Sequence, residues 1–547
     1  MGEKLLKISL FGACIVGSCE PGGFEITGQK HRALFALLAT APFGRRTRAF
    51  LQETLWGTAC YDTGRQSLRR ALSDIKLIMG ERFSQLLTST NSDLVLDLSK
   101  IEFVGAPESG EFLEGLELRE DGFNKWLHGV RLNPRQLDSL YTWGPTAQAR
   151  SMAPVIAVLP FRALSGDPDH VVIGDWLAEE VCRSLSRCNL LSVISHLSCR
   201  EMARRWIDIA AIKEGLKADF CLVGTVRPVR DDLMLDADFI DAATGRILWT
   251  RQFVGPARNY FENSTEGLAE IVSAIGRSIA DDALVHAAQN TIREIADHKL
   301  LIAGVSLMHK PKLNEFARAR ALIEAAVARA PRAAEAHAWL GKWHVLSVFN
   351  GWSTNPAQDT RLAVDCTARS LDLSPENAFC LTIEGFAQNN LLRRLDVAME
   401  RYNRALALNP NESLSWLLKG ALFAFMDDAN AAIDYVDRAK GLSPADPFGY
   451  FYDSLSATAR LAGENYDAAL KLAERSLAVN DRHLSTLRAK ISALYHLGRH
   501  EEARAAGAEL LRRQPGFTVT AYLKEHPAAQ FRIGRNMASA LRGIGIS

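Results

Sequence analysis

Residues 413–444, SLSWLLKGALFAFMDDANAAIDYVDRAKGLSP, form one unit of a helical pattern that recurs through the C-terminal half of this 547-residue chain. Small residues, Gly420 and Ala432, stand where two helices would approach closely, and Ala439 leaves room for the next unit to stack. Pro444 closes the unit because proline cannot continue a helix. The segment therefore predicts a pair of closely packed helices that is repeated along the chain.

Prolines mark the ends of most of these units. They stand at Pro331, Pro375, Pro410, Pro444 and Pro515. The successive intervals of 35 and 34 residues after residue 375 are the tetratricopeptide period, and the last interval, 71 residues, holds two units. The first interval is 44 residues, which indicates an insertion at FNGWSTNPAQD. We count six units and predict an all-α tetratricopeptide superhelix over 299–520, followed by a helical tail over 521–547. Such an array binds a protein or peptide partner and has no catalytic need.

Upstream of the repeats, residues 154–290 predict an α/β domain. A buried strand, VIAVLPF, precedes an amphipathic helix, a second strand and a three-strand meander that includes IDAATGRILW. These stretches resemble the TolB N-terminal-like domain, which implies an accessory or sensing role. Aspartates at 167, 169, 175, 231 and 232 suggest a metal site, but four of them stand at a strand exit or in a hairpin turn, where Asp forms local hydrogen bonds. The pattern favours the turns, and no phosphate-binding motif is present.

One helix near the N-terminus separates its faces sharply. Thr63 to Gln66 has the layout of a capping box and Gly80 supplies a stop, so a helix is predicted over roughly 64–79. Its apolar face holds Leu68, Ala71, Leu72, Ile75, Ile78 and Met79. Its opposite face holds Arg65, Gln66, Arg69, Arg70, Ser73 and Lys76. Such side chains donate to base edges and phosphates, although a basic amphipathic helix is more often a solvated surface.

The order of elements around this helix favours DNA binding. Short strands and two further helices precede it, and FSQLLTSTNSDLVLDL after it predicts two strands around a polar turn at 89–92. Strands, three helices and a hairpin define an α+β winged helix-turn-helix over 1–100, in which the third helix enters the major groove and the hairpin reaches the backbone. Thr90 and Asn91 in the turn are therefore added to the predicted DNA contacts.

ITGQKHRALFALLA, RAFLQETLWG and GRQSLRRALSDIKLIMG together resemble the OmpR/PhoB-type DNA-binding domain found in the Streptomyces antibiotic regulatory proteins and in HilA-like regulators. The resemblance implies binding to repeated half-sites upstream of promoters. The family usually has Gly-Tyr before its last strand, whereas this chain has Ser92-Asp93, which places an acid near the expected DNA contact. Residues 101–132 are similar to the opening of the helical activation domain of those regulators, and 133–153 predict a linker.

Composition sets the remaining expectations. The chain carries a formal charge of only +1, but its first hundred residues hold 13 basic against nine acidic side chains, so a polyanion is expected to meet this part. The nine cysteines form no CxxC pair, and no apolar run is long enough to span a membrane. We expect a multidomain cytoplasmic protein of bacterial type without metal, cofactor or catalytic residues.

These patterns lead to two hypotheses from different classes. The first is a sequence-specific transcriptional regulator, an activator by the resemblance, that binds double-stranded DNA through the N-terminal helix. Its repeats would bind RNA polymerase, another protein or a second copy of the chain. The alternative is a tetratricopeptide interaction scaffold without DNA binding. A signalling enzyme is not expected, because no nucleophile with a base and no paired metal-binding carboxylates stand out.

Overall fold

The computed structural model describes residues 4–547 except 21–22, 42–43, 60, 91–92, 105–109, 133–151, 166, 187, 189, 204–208, 231, 257–264, 444–445 and 447. Three regions follow one another along the chain: an N-terminal α+β region, a middle region built on a mixed sheet, and a C-terminal helical array. The predicted linker at 133–153 lies almost entirely outside the described residues, and so does Pro444.

The N-terminal region combines two small sheets with four helices ahead of residue 100. Its elements are β1 (Leu6–Ser9), β2 (Ile15–Ser18), α1 (Gln29–Ala39), β3 (Arg45–Thr47), α2 (Arg48–Trp56), α3 (Tyr61–Met79), α4 (Arg82–Leu86), β4 (Leu87–Ser89), β5 (Asp93–Leu96), β6 (Ile101–Val104) and α5 (Asp121–Leu132). One sheet has the order β2-β1-β6 and the other β3-β5-β4, with β4 and β5 forming an antiparallel hairpin. Residues 101–132 share the core of this region, since Ile101, Phe112, Phe123 and Leu127 are buried with the helices.

The helix predicted over 64–79 is α3, and its C-terminal stop is confirmed. Gly80 has a φ of 59°, the left-handed conformation that ends helices, and its N–H donates to the Lys76 carbonyl. The predicted start was wrong: α3 begins at Tyr61, so Thr63 is an interior residue and not a cap. Residues 56–59 already form a turn that ends α2, and the next helix starts directly after it. Ile78 was also wrongly assigned to the core, because 39% of it is exposed.

The middle region is a six-stranded sheet covered on both faces. Its elements are β7 (Val155–Val158), β8 (Arg162–Ala163), α6 (Pro168–Leu185), β9 (Ser192–Val193), α7 (His196–Ala203), α8 (Ile209–Leu216), β10 (Phe220–Val229), β11 (Asp232–Asp241), β12 (Ile247–Pro256) and α9 (Thr265–Gln289). The strand order is β12-β11-β10-β7-β9, with β8 beside β10. The meander is antiparallel, whereas β7 runs parallel to β9 and β10. Alternate residues of β7 face opposite layers: Ile156 packs with α6 and α9, and Ala157 with α7 and α8.

Fourteen helices make up the described part of the C-terminal array. They are α10 (Asp297–Met308), α11 (Leu313–Arg329), α12 (Ala334–Phe349), α13 (Pro356–Leu373), α14 (Ala378–Asn390), α15 (Leu395–Leu408), α16 (Ser413–Phe425), α17 (Ala429–Leu442), α18 (Gly449–Ala462), α19 (Tyr466–Val479), α20 (Leu484–His496), α21 (His500–Arg513), α22 (Val519–Glu525) and α23 (Arg532–Gly543). The first twelve pack as six consecutive pairs. The six predicted tetratricopeptide units correspond to these pairs.

Sequence spacing explains the helix ends and the close packing. Helix α11 ends two residues before Pro331, and α13 two residues before Pro375. A Cβ on Gly420 would lie 2.7 Å from Val436 Cγ1 and 3.0 Å from the Ala432 carbonyl oxygen, so only glycine permits this approach of α16 and α17. None of the described helices is long and apolar enough to cross a membrane.

Candidate nucleic-acid interface

Helix α3 presents its polar face to solvent. Gln66, Arg69, Arg70 and Lys76 are exposed and Arg65 is partly exposed, while the other face packs against α1 and α2. Ser73 is exposed as well, but its hydroxyl donates to the Arg69 carbonyl at 3.1 Å within the helix. These residues are exposed with all three regions of the chain present, so neither the middle region nor the helical array covers the polar face of α3.

The β4–β5 hairpin lies beside this helix. Thr90 is exposed, its N–H donates to the Asp93 carbonyl, and its hydroxyl accepts from the Asp93 N–H, both at 3.0 Å. Asn91, the other predicted hairpin contact, lies outside the described residues. The structure thus supplies an exposed hairpin end at Ser89 and Thr90, where a wing would meet the DNA backbone.

Arg48, which sequence reasoning missed, binds the hairpin from the start of α2. Its Nε donates to the Thr90 carbonyl at 2.8 Å and its Nη2 to the Ser89 hydroxyl at 2.5 Å. Partial burial lowers the pKa of Arg48, and the positive charges of Arg69 and Arg65 lower it further. The Arg48 guanidinium, held against the hairpin, therefore lies within electrostatic range of Arg69 and Arg65 on α3, and the three form one cationic surface. The sequence feature that could have pointed to Arg48 is its position at the start of α2, directly after the N-cap Thr47.

Asp93 does not face this surface. It is 2% exposed, and its Oδ2 accepts from Arg45 Nη2 at 2.7 Å. Arg401 of α15 holds the same carboxylate with two hydrogen bonds, Nη1 to Oδ2 at 2.6 Å and Nη2 to Oδ1 at 2.9 Å. Burial alone would raise the pKa of Asp93, but Arg401 and Arg45 hold it well below its ordinary value. The expectation that Asp93 lies beside the DNA contact was wrong. Asp93, which stands where the family usually has tyrosine, binds Arg401 of the repeats instead.

Further charges extend this contact, which we call the ionic dock. Arg401 Nε also donates to the Glu384 carboxylate of α14, and both side chains are buried. Arg46 of β3 pairs with Asp372 of α13, Nη1 to Oδ2 at 2.6 Å. The dock thus contains three cations and three anions: Arg45, Arg46, Asp93, Asp372, Glu384 and Arg401. Buried charges are tolerated only when an opposite charge compensates each of them. The ion pairs of the dock therefore hold the N-terminal region in a defined position on the repeats.

The middle region meets the repeats mainly through apolar side chains, and Lys299 of α10 also pairs with Asp282 of α9, Nζ to Oδ2 at 2.6 Å. Met152, Leu190, Leu301, Ile302 and Trp339 line one small cavity at this contact, which we call the apolar seam. Met152 and Leu301 belong to a single hydrophobic core that runs from the middle sheet into the repeats. No group of three or more His, Cys, Asp or Glu side chains that could hold a metal ion occurs in the described part of the chain.

Two families are recognised by their sequence models. Residues 151–271 match the second domain of HilA/YgeH-like transcriptional regulators, and residues 312–344 and 455–516 match a tetratricopeptide repeat model. The chain therefore contains a HilA-like regulator domain and tetratricopeptide repeats. The HilA-like match covers the middle region, where the sequence alone indicated a TolB-like domain.

Individual relatives are more distant. A protein of Rhizobium meliloti (strain 1021) named "Putative adenylate cyclase 3" is 25% identical over 308 residues, an alignment that covers 51% of this chain. The chain spans about half the length (51%) of that relative. Among solved structures, a thermophilic tetratricopeptide protein from Thermus thermophilus is 20% identical over 36% of this chain and 99% of its own, with a TM-score of 0.29. A tetratricopeptide repeat protein from Parabacteroides merdae is 13% identical over 46% and 94%, with a TM-score of 0.27.

Proposed function

We propose that this chain is a non-enzymatic, sequence-specific DNA-binding regulator of transcription whose N-terminal region is a winged helix of the OmpR/PhoB type. The observation that carries the proposal is the exposed cationic face of α3, continued by Arg48 onto an exposed hairpin end. Recognition helix and wing occupy this relation in winged-helix proteins. The HilA-like domain directly downstream supports a role in transcription.

Each part of the surface has a distinct chemical task in this proposal. Gln66 and Arg69 have side chains suited to donate to base edges, because amide and guanidinium groups form paired hydrogen bonds in the major groove. Arg70, Lys76 and Arg48 would neutralise backbone phosphates. Ser73 would contribute after rotation of its hydroxyl, which is engaged within the helix.

The test is genome-wide recovery of DNA bound by the full chain and by the variant Arg69→Glu/Arg70→Glu. We expect discrete promoter-proximal sites that are lost in the variant, with affinity for an isolated site reduced at least about tenfold, because charge reversal replaces phosphate attraction by repulsion. The matched control is Arg504→Glu/Arg512→Glu, which makes the same charge change on the exposed face of α21 and should leave the sites unchanged.

Failure to recover any site with the unmodified chain would contradict the proposal and favour the interaction scaffold. Equal loss in the control variant would show that net charge, and not α3, governs binding.

The repeats supply the protein contact of the proposed regulator. A tetratricopeptide array presents an extended surface for a peptide, an RNA polymerase subunit or a second copy of the chain. Two copies joined in this way would place two N-terminal regions on adjacent half-sites and convert two weak contacts into one tight one. The middle region, with its resemblance to TolB N-terminal-like domains, would be an accessory or sensing unit.

A further inference from the structure

We infer that residues 517–533, which we call the plug, occupy a partner-binding surface around Arg488 where the inner helices of the repeats end, and that a partner segment with a carboxylate displaces the plug. The plug comprises α22, the residues on either side of it and the first two residues of α23. This extends the protein contact of the proposed function, on which it rests, by naming the chemistry of the partner.

The interior of the array is filled by its own helices, because early units touch a late one across it. His309, at the end of α10, lies with its Nδ1 2.8 Å from the Tyr450 hydroxyl oxygen of α18. The rings of Phe386 in α14 and Phe451 in α18 lie 6.3 Å apart between centroids. These contacts join the first and third units to the fifth. The surface beneath the plug is therefore the part that displacement of one segment would uncover.

The plug covers this surface with aromatic side chains. The His526 ring lies 5.2 Å from the Phe425 ring and 6.4 Å from the Phe349 ring between centroids. Phe349 and Phe425 are the last residues of α12 and α16, the inner helices of the second and fourth units. Tyr522 lies beside His526, with 4.7 Å between ring centroids, and is 8% exposed. One short segment thus bridges units that are not neighbours in the array.

Polar contacts attach the plug to the turns between paired helices. Arg393 donates from Nη1 to a carbonyl of α22. The Asp427 carboxylate accepts from the backbone N–H groups of Arg532 and Ile533 at 2.7 and 3.0 Å. Arg532 Nη1 also pairs with Glu464 Oε1 at 2.7 Å, and both side chains are about half exposed. Water replaces exposed ion pairs at little cost, so a competing segment could displace the plug.

Arg488 of α20 lies beneath the plug. It is 6% exposed, and its guanidinium carbon lies 6.0, 5.9 and 5.8 Å from the ring centroids of Phe349, Phe517 and Tyr522. Among the residues that the structure describes, none forms a salt bridge or a hydrogen bond with this guanidinium. Aromatic faces offset part of the cost of burying a cation, but a carboxylate offsets more because it also accepts hydrogen bonds. A segment that brings a carboxylate to Arg488 would therefore compete with the plug.

The probe is a fluorescein-labelled peptide with the sequence of residues 516–534. It is added to the full chain and to Tyr522→Ala/His526→Ala, which removes two rings from the plug. The intact plug competes from within the same chain, so we expect fluorescence anisotropy to show binding at least about tenfold tighter to the variant. If circular dichroism shows that this variant does not fold, Arg393→Gln/Asp427→Asn, which loosens only the attachment at the turns, is measured in its place.

The carboxylate is tested with two further peptides of the same length, Tyr522→Glu and Tyr522→Gln, which differ in charge and hardly in shape. On the loosened chain we expect the Tyr522→Glu peptide to bind at least about tenfold tighter, because only it can form an ion pair with Arg488. Arg488→Met in the same chain should remove this preference. The matched control is Arg438→Met, which removes a guanidinium 4.0 Å from the Trp416 ring centroid, away from the plug, and should leave the preference unchanged.

Equal binding of the unmodified peptide by the intact and the loosened chain, or binding by neither, would show that the plug does not cover a partner surface. A loosened chain that does not distinguish the two charged-state peptides would overturn the role of the carboxylate. A preference that persists in Arg488→Met, or that is lost equally in Arg438→Met, would overturn the role of Arg488. No DNA is present in these measurements, so their failure and a failure of DNA binding are separate results.

Discussion

The N-terminal region meets the repeats through six buried charges, whereas the middle region shares one continuous apolar core with them and adds the buried Lys299, which pairs with Asp282. Apolar burial is non-directional, and each methylene contributes separately. A buried ion network depends on every member, because loss of one partner leaves the others desolvated and uncompensated. The ionic dock should therefore respond sharply to single changes and the apolar seam gradually.

The largest effect is expected for Arg401→Met. Arg401 is fully buried between Asp93 and Glu384, so its removal leaves the Glu384 carboxylate without its cation and the Asp93 carboxylate with Arg45 alone. We expect the free energy of unfolding to fall by about 3–5 kcal/mol, measured by chemical denaturation. Release of the N-terminal region into solvent would limit the loss, and small-angle scattering would then show a larger radius of gyration.

Arg404→Met is the control for this variant. It removes a guanidinium from the same helix at a partly exposed position and should cost less than about 1 kcal/mol. Similar losses in the two variants would contradict the special role of the dock. Replacement of Arg401, Asp93, Glu384 and Arg45 together by neutral residues of similar volume should recover much of the stability, because no buried charge of this group is then left without its partner.

A somewhat smaller effect is expected for Leu301→Ala in the apolar seam. Leu301 is 3% exposed, and its truncation removes apolar contacts and leaves a cavity. The expected loss is about 3 kcal/mol in the free energy of unfolding. Leu301→Met, which keeps the volume, should cost less than about 1.5 kcal/mol. A loss that is no greater for alanine than for methionine would show that the seam does not depend on packing.

The smallest effect concerns a charge enclosed beside the seam. Lys342 Nζ lies 4.8 Å from the ring centroid of Trp339, and burial lowers the pKa of Lys342 to about 8, with Asp446 and Glu412 offsetting part of the shift. The unfolded chain therefore binds more protons between about pH 8 and the ordinary lysine pKa of about 10.4. The contribution of this lysine to stability should therefore grow with pH across this window, by up to about 3 kcal/mol.

Denaturation of the chain and of Lys342→Met at about pH 7.5 and about pH 10 isolates this contribution, because the buried cysteines that also titrate in this window are common to both. The same pH dependence of stability in both proteins would show that Lys342 does not contribute. Lys419→Met is a matched comparison, since Lys419 is also a largely buried lysine of the array, 4.6 Å from the Tyr435 ring centroid.

Sequence reasoning succeeded where a pattern is local and periodic. The proline spacing and the small residues around Gly420 predicted the helix pairs because each unit repeats its own packing. Gly80 marked the end of α3 because only the local backbone conformation matters there. The cationic residues of α3 were found by helical periodicity, and their DNA contacts remain predictions.

The same reasoning missed what depends on distant chain segments. The unusual Asp93 was visible in the sequence, but its partner Arg401 lies 308 residues away and carries no signal of its own. Arg48 was missed because its role arises from the return of the hairpin to the start of α2. Ile78 looked like a core residue from its angle on the helix alone, yet no neighbouring element covers it fully.

The bidentate contact between Arg401 and Asp93 constrains how sequences of this architecture can diverge. Loss of Arg401 alone leaves Glu384 without its cation, and loss of Asp93 alone leaves Arg45 without its anion, so a substitution at either position would survive selection only with compensating changes within the dock. Among homologues, positions 93 and 401 should therefore change identity in concert. A chimera that joins the N-terminal region, through the end of α5, to repeats from another lineage would need both residues from one parent.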